Sequence, residues 1–151
     1  MDYELFIYST ETSDYIADLL MKEAKNIVES ELKLKVEEEH NIYIGCGYFS
    51  MNIEIEDISD LEFINKNYNL NINMCISIQV YHKTFALGIS QLLKVLGKVL
   101  SEIKGDALLI FNGSTQVLKR EKGILYVNEN ADLSKYPLRE LGLSYVKAEL
   151  N

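Results

Sequence analysis

The sequence predicts a single α+β domain over residues 1–151, with a mostly antiparallel or mixed sheet and two amphipathic helices packed on one face. Three observations predict this class. Several short segments alternate apolar and polar residues, two longer segments carry apolar residues at helical spacing, and their order is strand, helix, strands, helix, strands. A chain of 151 residues is long enough to bury one hydrophobic core.

The chain begins with a strand and a helix. Residues 3–10 are rich in Tyr, Phe and Ile, which favour a pleated surface. Thr12 or Ser13 is a candidate N-cap for a helix over residues 13–31, in which apolar residues recur at helical spacing. Asp14 then lies in the first turn, where a negative charge is favourable.

A group of shorter segments follows. Residues 32–36 predict a short strand or the frayed end of the helix, and the acidic run Glu37–Glu39 predicts a turn or an exposed end. Residues 41–56 have the composition of two strands or of one long bent strand. Within them, Gly45 and Gly47 indicate a bulge or a close backbone approach.

The middle of the chain predicts a clear strand and a second helix. Residues 57–69 are polar and irregular, with room for one short helical turn, whereas residues 69–82 place apolar side chains at every second position. That alternation is typical of a half-buried antiparallel strand. Residues 86–103 form the second amphipathic helix, and Gly105 is a plausible C′ residue that ends it.

Three strand segments follow that helix, and two glycine-containing turns separate them. Asn-Gly and Lys-Gly turns of this kind are hairpin signals. The strands are 106–113, 115–121 and 124–129, and the turns are Asn112-Gly113 and Lys122-Gly123. Residues 138–141, after the single proline, predict one turn of helix.

Acidic and basic residues are unevenly divided along the chain. The formal net charge is −8; residues 1–63 hold 4 Lys or Arg against 16 Asp or Glu, whereas residues 64–151 hold 11 against 7. Such asymmetry indicates an interaction surface. Because a nucleic-acid ligand requires Lys and Arg to replace its counterions, the acidic part argues against DNA or RNA as a partner.

Membrane insertion and secretion are not expected either. No apolar run approaches the ~20 residues that span a bilayer, and the first residues contain no basic region followed by a long apolar stretch. We therefore expect a cytoplasmic protein. In that reducing compartment Cys46 and Cys75 are expected to be buried free thiols, since a disulfide would require their strands to be neighbours.

The sequence contains no recognisable catalytic or metal-binding pattern. Its two histidines, His40 and His82, have no second histidine at ligand spacing, and neither CxxC nor HExxH occurs. The Gly-Cys-Gly triplet around Cys46 lacks the rest of a phosphate-binding loop and a nearby base for a nucleophile. We therefore expect no enzymatic activity, no metal and no cofactor.

The segment MNIEIEDISDLE, residues 51–62, carries the most informative pattern for function. Its apolar residues alternate with Glu54 and Glu56, so a strand would bury one side and present carboxylates on the other. A calcium loop would need a glycine at its sharp turn, and the segment has none. Two interpretations remain: the carboxylates are solvated by water, or they bind a basic protein partner.

The C-terminal part carries a family resemblance. Residues 94–130 contain an apolar helix, then Gly105-Asp106-Ala107 with an apolar strand, then Asn112-Gly113 and a hairpin containing Arg120. Together with the strand and helix of residues 2–20, this order resembles the Sit-type immunity proteins of bacterial toxin-exchange and contact-dependent inhibition systems. The resemblance implies a small cytosolic antidote that binds the C-terminal domain of a cognate toxin and carries no catalytic residues.

A basic toxin domain, such as a nuclease, would suit an acidic inhibitor, because complementary charge speeds encounter and selects partners. The acidic segments supply the charges of the predicted interface, and nearby tyrosines supply aromatic anchors. The predicted partner-binding residues are Glu37, Glu38, Glu39, Tyr43, Tyr48, Glu54, Glu56, Asp57, Asp60, Glu62 and Tyr68. The alternative function is a regulatory module that binds a small molecule or a peptide in an apolar pocket.

Overall fold

The computed structural model describes residues 1–28, 31–38, 41–54, 58–131 and 136–150, and only the backbone of residues 34–38 and 58–60. Within these ranges there are three α-helices and nine strands. The helices are α1 (Ser13–Ile27), α2 (Ile58–Tyr68) and α3 (Phe85–Glu102). The strands are β1 (Asp2–Ile7), β2 (Lys33–Glu38), β3 (Asn41–Gly45), β4 (Phe49–Glu54), β5 (Met74–Val80), β6 (Ala107–Phe111), β7 (Thr115–Glu121), β8 (Ile124–Asn128) and β9 (Val146–Ala148).

The described strands form one sheet in the order β2-β3-β4-β5-β1-β6-β7-β8-β9. Every neighbouring pair is antiparallel except β8 and β9, which are parallel. The predicted α+β class with a mostly antiparallel or mixed sheet is therefore confirmed. The short strand β9 was not predicted.

Helices α1 and α3 pack on one face of the sheet, as predicted, and enclose the first core. The inward residues of β1 and β5, such as Leu5 and Ile76, are fully buried there against Leu20 and Leu92. Helix α1 begins where the sequence indicates, because the Tyr15 amide donates to Thr12 Oγ1 at 3.2 Å. It ends at Ile27, four residues before the predicted end.

Helix α2 lies on the opposite face, where the sequence predicted an irregular segment, and that prediction was wrong. Ile64 is buried and Leu61 and Tyr68 pack beside it, so the helix presents apolar residues three and four positions apart to the sheet. They cover apolar residues of β1 and β6. This second core consists of Phe6, Ile64, Leu70, Ile72, Cys75, Leu108 and Ile110.

The strand predicted over residues 69–82 is shorter than expected, because Leu70 and Ile72 belong to the second core instead. Asn65 holds this connection: its Oδ1 accepts from the Ile72 amide at 2.8 Å and its Nδ2 donates to the Ile72 carbonyl at 3.1 Å. Asn73 Nδ2 likewise donates to the carbonyl of Ser9 at 2.7 Å. Asparagine side chains thus replace the backbone ladder that an extended strand would form.

The structure decides between several alternatives left open by the sequence. Lys33–Glu38 is a strand, so Glu37 and Glu38 lie in β2 rather than in a turn. Residues 41–54 form two strands, not one bent strand. The hairpins at Asn112-Gly113 and Lys122-Gly123 are confirmed, since both residues of each turn have positive φ. Residues 138–141 form the predicted helical turn, of the 3₁₀ type.

Helix α3 does not end in the predicted glycine cap. Its C-cap is Ile103, and the carbonyls there are satisfied by the buried guanidinium of Arg120 on β7. Arg120 donates to the carbonyls of Leu100 at 2.7 Å, of Gly105 at 2.8 Å and of Ile103. Burial lowers the pKa of this guanidinium from its usual value. A positive group at a helix C-terminus is also favourable for the helix dipole.

Gly105 and Asp106 complete this junction. A Cβ at Gly105 would lie 2.8 Å from the Tyr8 Cβ, so this position requires glycine because two chain segments approach closely. The Asp106 carboxylate accepts from the Asn71 amide at 2.9 Å and from the Lys122 amide at 3.4 Å. The Gly-Asp-Ala motif therefore joins the end of α3 to two neighbouring loops.

Among the described residues, the helical stretch His82–Glu102 is long and apolar enough to cross a membrane by length and composition alone. In this fold, 56% of the apolar window is buried. Its buried residues, such as Leu93 and Leu96, pack in the first core. Core packing therefore accounts for the apolar composition of this helix.

We predict that Arg120→Lys destabilises the protein by about 2–3 kcal/mol, because an ammonium group cannot bond three separated carbonyls and leaves buried acceptors unsatisfied. Urea unfolding followed by circular dichroism measures the change. Arg139→Lys is the matched control, since it makes the same substitution at an exposed position and should change stability by about 0.5 kcal/mol or less. Equal stability of Arg120→Lys and the native protein would contradict this role.

Candidate partner-binding surface

The second face of the sheet is divided into an apolar half under α2 and a polar half beside it. We call this second half the polar face. Its side chains are half-buried or exposed, whereas the residues that alternate with them in the same strands are buried in the first core. The polar face consists of Asp2, Glu4, Asn41, Tyr43, Ser50, Asn52, Glu54, Ser77 and Gln79.

The boundary between the two halves coincides with a change of residue type along single strands. On β1, Glu4 of the polar face is followed on the same side by Phe6, which is buried in the second core. On β5, Ser77 is adjacent in the same way to buried Cys75. The polar half therefore consists of side chains that water can solvate, and these side chains do not require burial under an apolar helix such as α2.

The centre of the polar face is a row of directly paired residues. Asn52 lies opposite Ser77, and Ser77 lies opposite Glu4 on the other side. Ser77 Oγ donates to Glu54 Oε1 at 2.9 Å, and Asn52 Nδ2 donates to Asn41 Oδ1 at 3.2 Å. These bonds hold the Glu54 carboxylate and the Asn52 amide in fixed positions.

A shallow depression of about 360 Å³ lies over this row. The depression is lined by two carboxylates, two amides and two hydroxyls, together with one tyrosine and one isoleucine. These residues are Asp2, Tyr3, Glu4, Ser50, Asn52, Ser77, Ile78 and Gln79. Such groups accept hydrogen bonds from cationic donors without requiring a metal.

Two tyrosines lie at the β3–β4 end of the polar face. Tyr43 packs over Gly45, where a Cβ would lie 2.9 Å from the Tyr43 hydroxyl oxygen, so a side chain rather than the expected backbone segment approaches this glycine closely. Tyr81 has its pKa raised, first by burial and also by the neighbouring Tyr43, while a hydrogen bond with Ser50 opposes the shift. The Tyr81 hydroxyl therefore stays a neutral donor or acceptor at physiological pH.

Acidic groups predominate among the described side chains of the polar face. It carries the carboxylates of Asp2, Glu4 and Glu54, and two lysines of the edge strand β2 lie at its margin by register, Lys33 opposite Gly45 and Lys35 opposite Tyr43. The exposed side of the helical layer is different, because acidic residues such as Asp18 alternate there with lysines such as Lys22 and Lys94. The described side chains of the polar face are thus more acidic than the exposed side of the helical layer.

The structure places the predicted acidic residues in several parts of the fold. Glu54 lies on the polar face, and Glu62 is exposed on α2. Backbone positions alone are described for Glu37 and Glu38 in β2 and for Asp60 in α2. Glu39, Glu56 and Asp57 lie outside the described residues.

The three predicted tyrosine anchors are not brought together. Tyr43 lies on the polar face, whereas Tyr48 packs against the first core and its carbonyl accepts from the Tyr81 amide at 3.0 Å. Tyr68 ends α2 and packs against the second core. A contact of Tyr48 or Tyr68 with a partner remains a prediction, but one shared aromatic patch is not formed.

Asp2 and Glu4 are the functional candidates that the sequence reasoning missed. They alternate with Tyr3 and Leu5, which are buried in the first core, and this alternation was a usable signal. The composition of residues 3–10 predicted a strand, but it was not used to predict on which side of the sheet the Asp2 and Glu4 carboxylates lie.

Other reactive side chains are not part of the polar face, although Cys46 lies near Tyr81 at its β3–β4 end. Cys46 is half-buried and Cys75 is buried, and both are free thiols. His82 is exposed in a 3₁₀ turn, while His40 lies outside the described residues. Within the described part of the chain, no group of three His, Cys, Asp or Glu side chains is arranged to hold a metal ion.

Comparison with protein families gives a match over most of the chain. A model described as SitI3-like matches residues 1–135, a region that contains every element from β1 to β8 and the whole polar face. The 3₁₀ turn at residues 138–141 and strand β9 lie beyond it. Comparisons with curated proteins and with solved structures give no match.

Proposed function

The chain belongs to the SitI3-like family, and from this we propose that it is an immunity protein that binds and neutralises the C-terminal domain of a cognate bacterial toxin. The observation that carries the proposal is the family match over residues 1–135. The protein acts as a stoichiometric inhibitor in the cytoplasm, where a delivered toxin would encounter its target.

The fold supports an inhibitor that works by binding. Such a protein needs a rigid body and a surface complementary to its target, and it does not need a nucleophile or a general base. The polar face offers side chains fixed by the strand register and by the Ser77–Glu54 hydrogen bond. A pre-positioned surface loses little conformational entropy when it binds.

The toxin domain is proposed to be basic, such as a nuclease. A nuclease must neutralise the phosphates of its substrate with Lys and Arg, so its substrate site attracts acidic surfaces. An acidic inhibitor therefore competes for the same cationic region. The carboxylates of Asp2, Glu4 and Glu54 on one side of the sheet support this choice of partner.

We predict that co-expression of this chain with the toxin domain encoded beside its gene restores growth of cells that the toxin alone arrests. Colony counts after induction measure the rescue, and a toxin domain from an unrelated system is the control for specificity. Purification should then recover a complex of equal stoichiometry. Absence of both rescue and complex with every adjacent toxin candidate would refute the proposed function.

We predict that the complex weakens with salt and with charge reversal on the polar face. Raising the ionic strength from 50 to 500 mM should reduce affinity by about tenfold, because screening shortens the range of charge attraction. Glu54→Lys should reduce it further. Glu129→Lys, which makes the same charge change at an exposed position after β8, is the control. Isothermal titration calorimetry measures both, and a salt-insensitive association would contradict a charge-based interface.

A further inference from the structure

We infer that two copies of this chain pair through β9, antiparallel and around a two-fold axis at Val146, so that their sheets join edge to edge. The inference goes beyond the proposed function and does not depend on it. The partner is a second copy of this chain. The direction of the backbone groups of β9, its exposed side chains and the charges along it support this pairing.

Strand β9 has an open side. Among the described residues it is the last strand of the sheet, with β8 as its neighbour. The carbonyl of Ala148 accepts from the Glu129 amide at 2.9 Å, so the backbone groups of Ala148 point towards β8. Because these groups alternate in direction along a strand, those of Lys147 point away from β8. The middle residue of β9 thus presents a donor and an acceptor to a further strand.

Apolar side chains extend to this open edge. Val146 is 52% exposed and lies opposite Tyr126 of β8, and Ile124 of the same strand is 47% exposed. Tyr126 in turn lies opposite Lys119, and Lys119 lies opposite Leu108 of the second core. The exposed apolar residues of β8 and β9 are therefore on the side of the sheet that α2 covers in part. A second copy at the edge would continue this side of the sheet.

The charges and the course of the chain select the position of the two-fold axis. An axis through Lys147 would place two lysines directly opposite each other, which is unfavourable. An axis through Ala148 would require the strand to continue beyond it. However, β9 ends at Ala148, and the Leu150 amide donates to the Asn128 side chain at 3.1 Å. An axis through Val146 avoids both difficulties.

This axis gives compatible side-chain pairs. Val146 faces Val146 of the second copy in a non-hydrogen-bonded pair, where opposite side chains are closest. Tyr145 faces Lys147 of the second copy, and these two residues exchange backbone hydrogen bonds. The Tyr145 side chain packs against the first core, and Lys147 projects from the same side of the strand two positions later. Each lysine therefore meets an aromatic ring, with which a cation interacts favourably.

The lysine in β9 makes the edge selective. A lysine in a short edge strand usually protects a sheet against pairing with other chains. In the two-fold pairing this protection is overcome, because Lys147 has a tyrosine opposite it and Val146 has a valine. A foreign strand that placed Lys or Arg opposite Lys147 would be repelled. The edge therefore favours its own copy.

The size of the contact predicts a weak and reversible dimer. Five residues from each copy, 144–148, give a paired segment about 17 Å long. Such a segment buries much less than the ~800 Å² that each partner of a stable complex buries, so we expect a dissociation constant on the order of 10–100 µM. Strands β6, β7 and β8 separate β9 from the polar face, which stays open in each copy.

The first test measures the oligomeric state of the full chain. Analytical ultracentrifugation from about 1 to about 500 µM should show a monomer that becomes a dimer. Val146→Lys places two like charges opposite each other and should raise the dissociation constant about tenfold or more. Leu87→Lys is the matched control, because it makes a similar change at a residue of α3 that is 47% exposed, and should change the constant about twofold or less. Thermal unfolding verifies that both variants are folded.

The second test determines the register. In Val146→Cys the two Cα atoms would lie about 4.5 Å apart, a distance that a disulfide can bridge. Oxidised glutathione should therefore convert this variant into a covalent dimer that dithiothreitol reverses. In Ala148→Cys, on the same side of the strand, the two positions are four residues apart, roughly 13 Å, and should not react. The native chain controls for Cys46 and Cys75, which are free thiols.

Four outcomes would overturn the inference. A native chain that is monomeric at every concentration excludes the dimer. Cross-linking of Ala148→Cys, alone or as efficiently as Val146→Cys, excludes the register. Loss of the dimer confined to Leu87→Lys would place the contact on the helical layer. If the native chain is monomeric and Val146→Lys no longer rescues cells from the toxin, the edge of β9 binds the toxin instead. Each of these outcomes leaves the proposed immunity function in place.

Discussion

The pairing of β1 with both β5 and β6 is the interaction on which the rest of the structure depends. This strand lies in the middle of the sheet and joins the β2–β5 part to the β6–β9 part. Its residues serve three surfaces: Leu5 and Ile7 lie in the first core, Phe6 lies in the second core, and Glu4 lies on the polar face. Because side chains alternate along a strand, a shift of register by one residue would exchange these roles. The two cores and the candidate interface therefore depend on one backbone register.

Local patterns were sufficient where the structure is determined by neighbouring residues. The Asn-Gly and Lys-Gly hairpins and the two amphipathic helices of the first core follow from turn chemistry and spacing, and the structure confirms them. Helix α2 was not predicted because few of its residues are apolar and face the sheet. One of its large apolar residues, Phe63, is 63% exposed and so does not contribute to a helical apolar stripe. Leu70 and Ile72 continue the alternation of β5 in the sequence, yet they lie in the other core because Asn65 fixes their backbone. These hydrogen bonds join residues seven positions apart, and the alternation of apolar residues gives no sign of them.

The candidate site shows the same division between local and long-range information. Glu54 was identified because its strand alternates visibly, but the importance of Glu4 depends on where α2 stops covering the sheet. Tyr48 and Tyr68 were grouped with Tyr43 although they pack against different cores. The charge imbalance of residues 1–63 is real, but it includes acidic residues of α1, such as Asp18, on the other side of the sheet. A net charge summed along the sequence cannot show on which face of the fold each charged residue lies.

The motif that carries the family resemblance and the surface proposed to bind the toxin are separate in the structure. Gly105, Asp106 and Arg120 are committed to the junction between α3, β6 and β7, so changing them damages the scaffold. Polar-face residues such as Gln79 are exposed and alternate with core residues, and substitutions at such positions change stability by only about 0.5 kcal/mol. A scaffold of this kind can acquire a new arrangement of charges for a different partner without losing its fold. The motif residues therefore identify the architecture, and partner specificity must be determined by the outward-facing side chains.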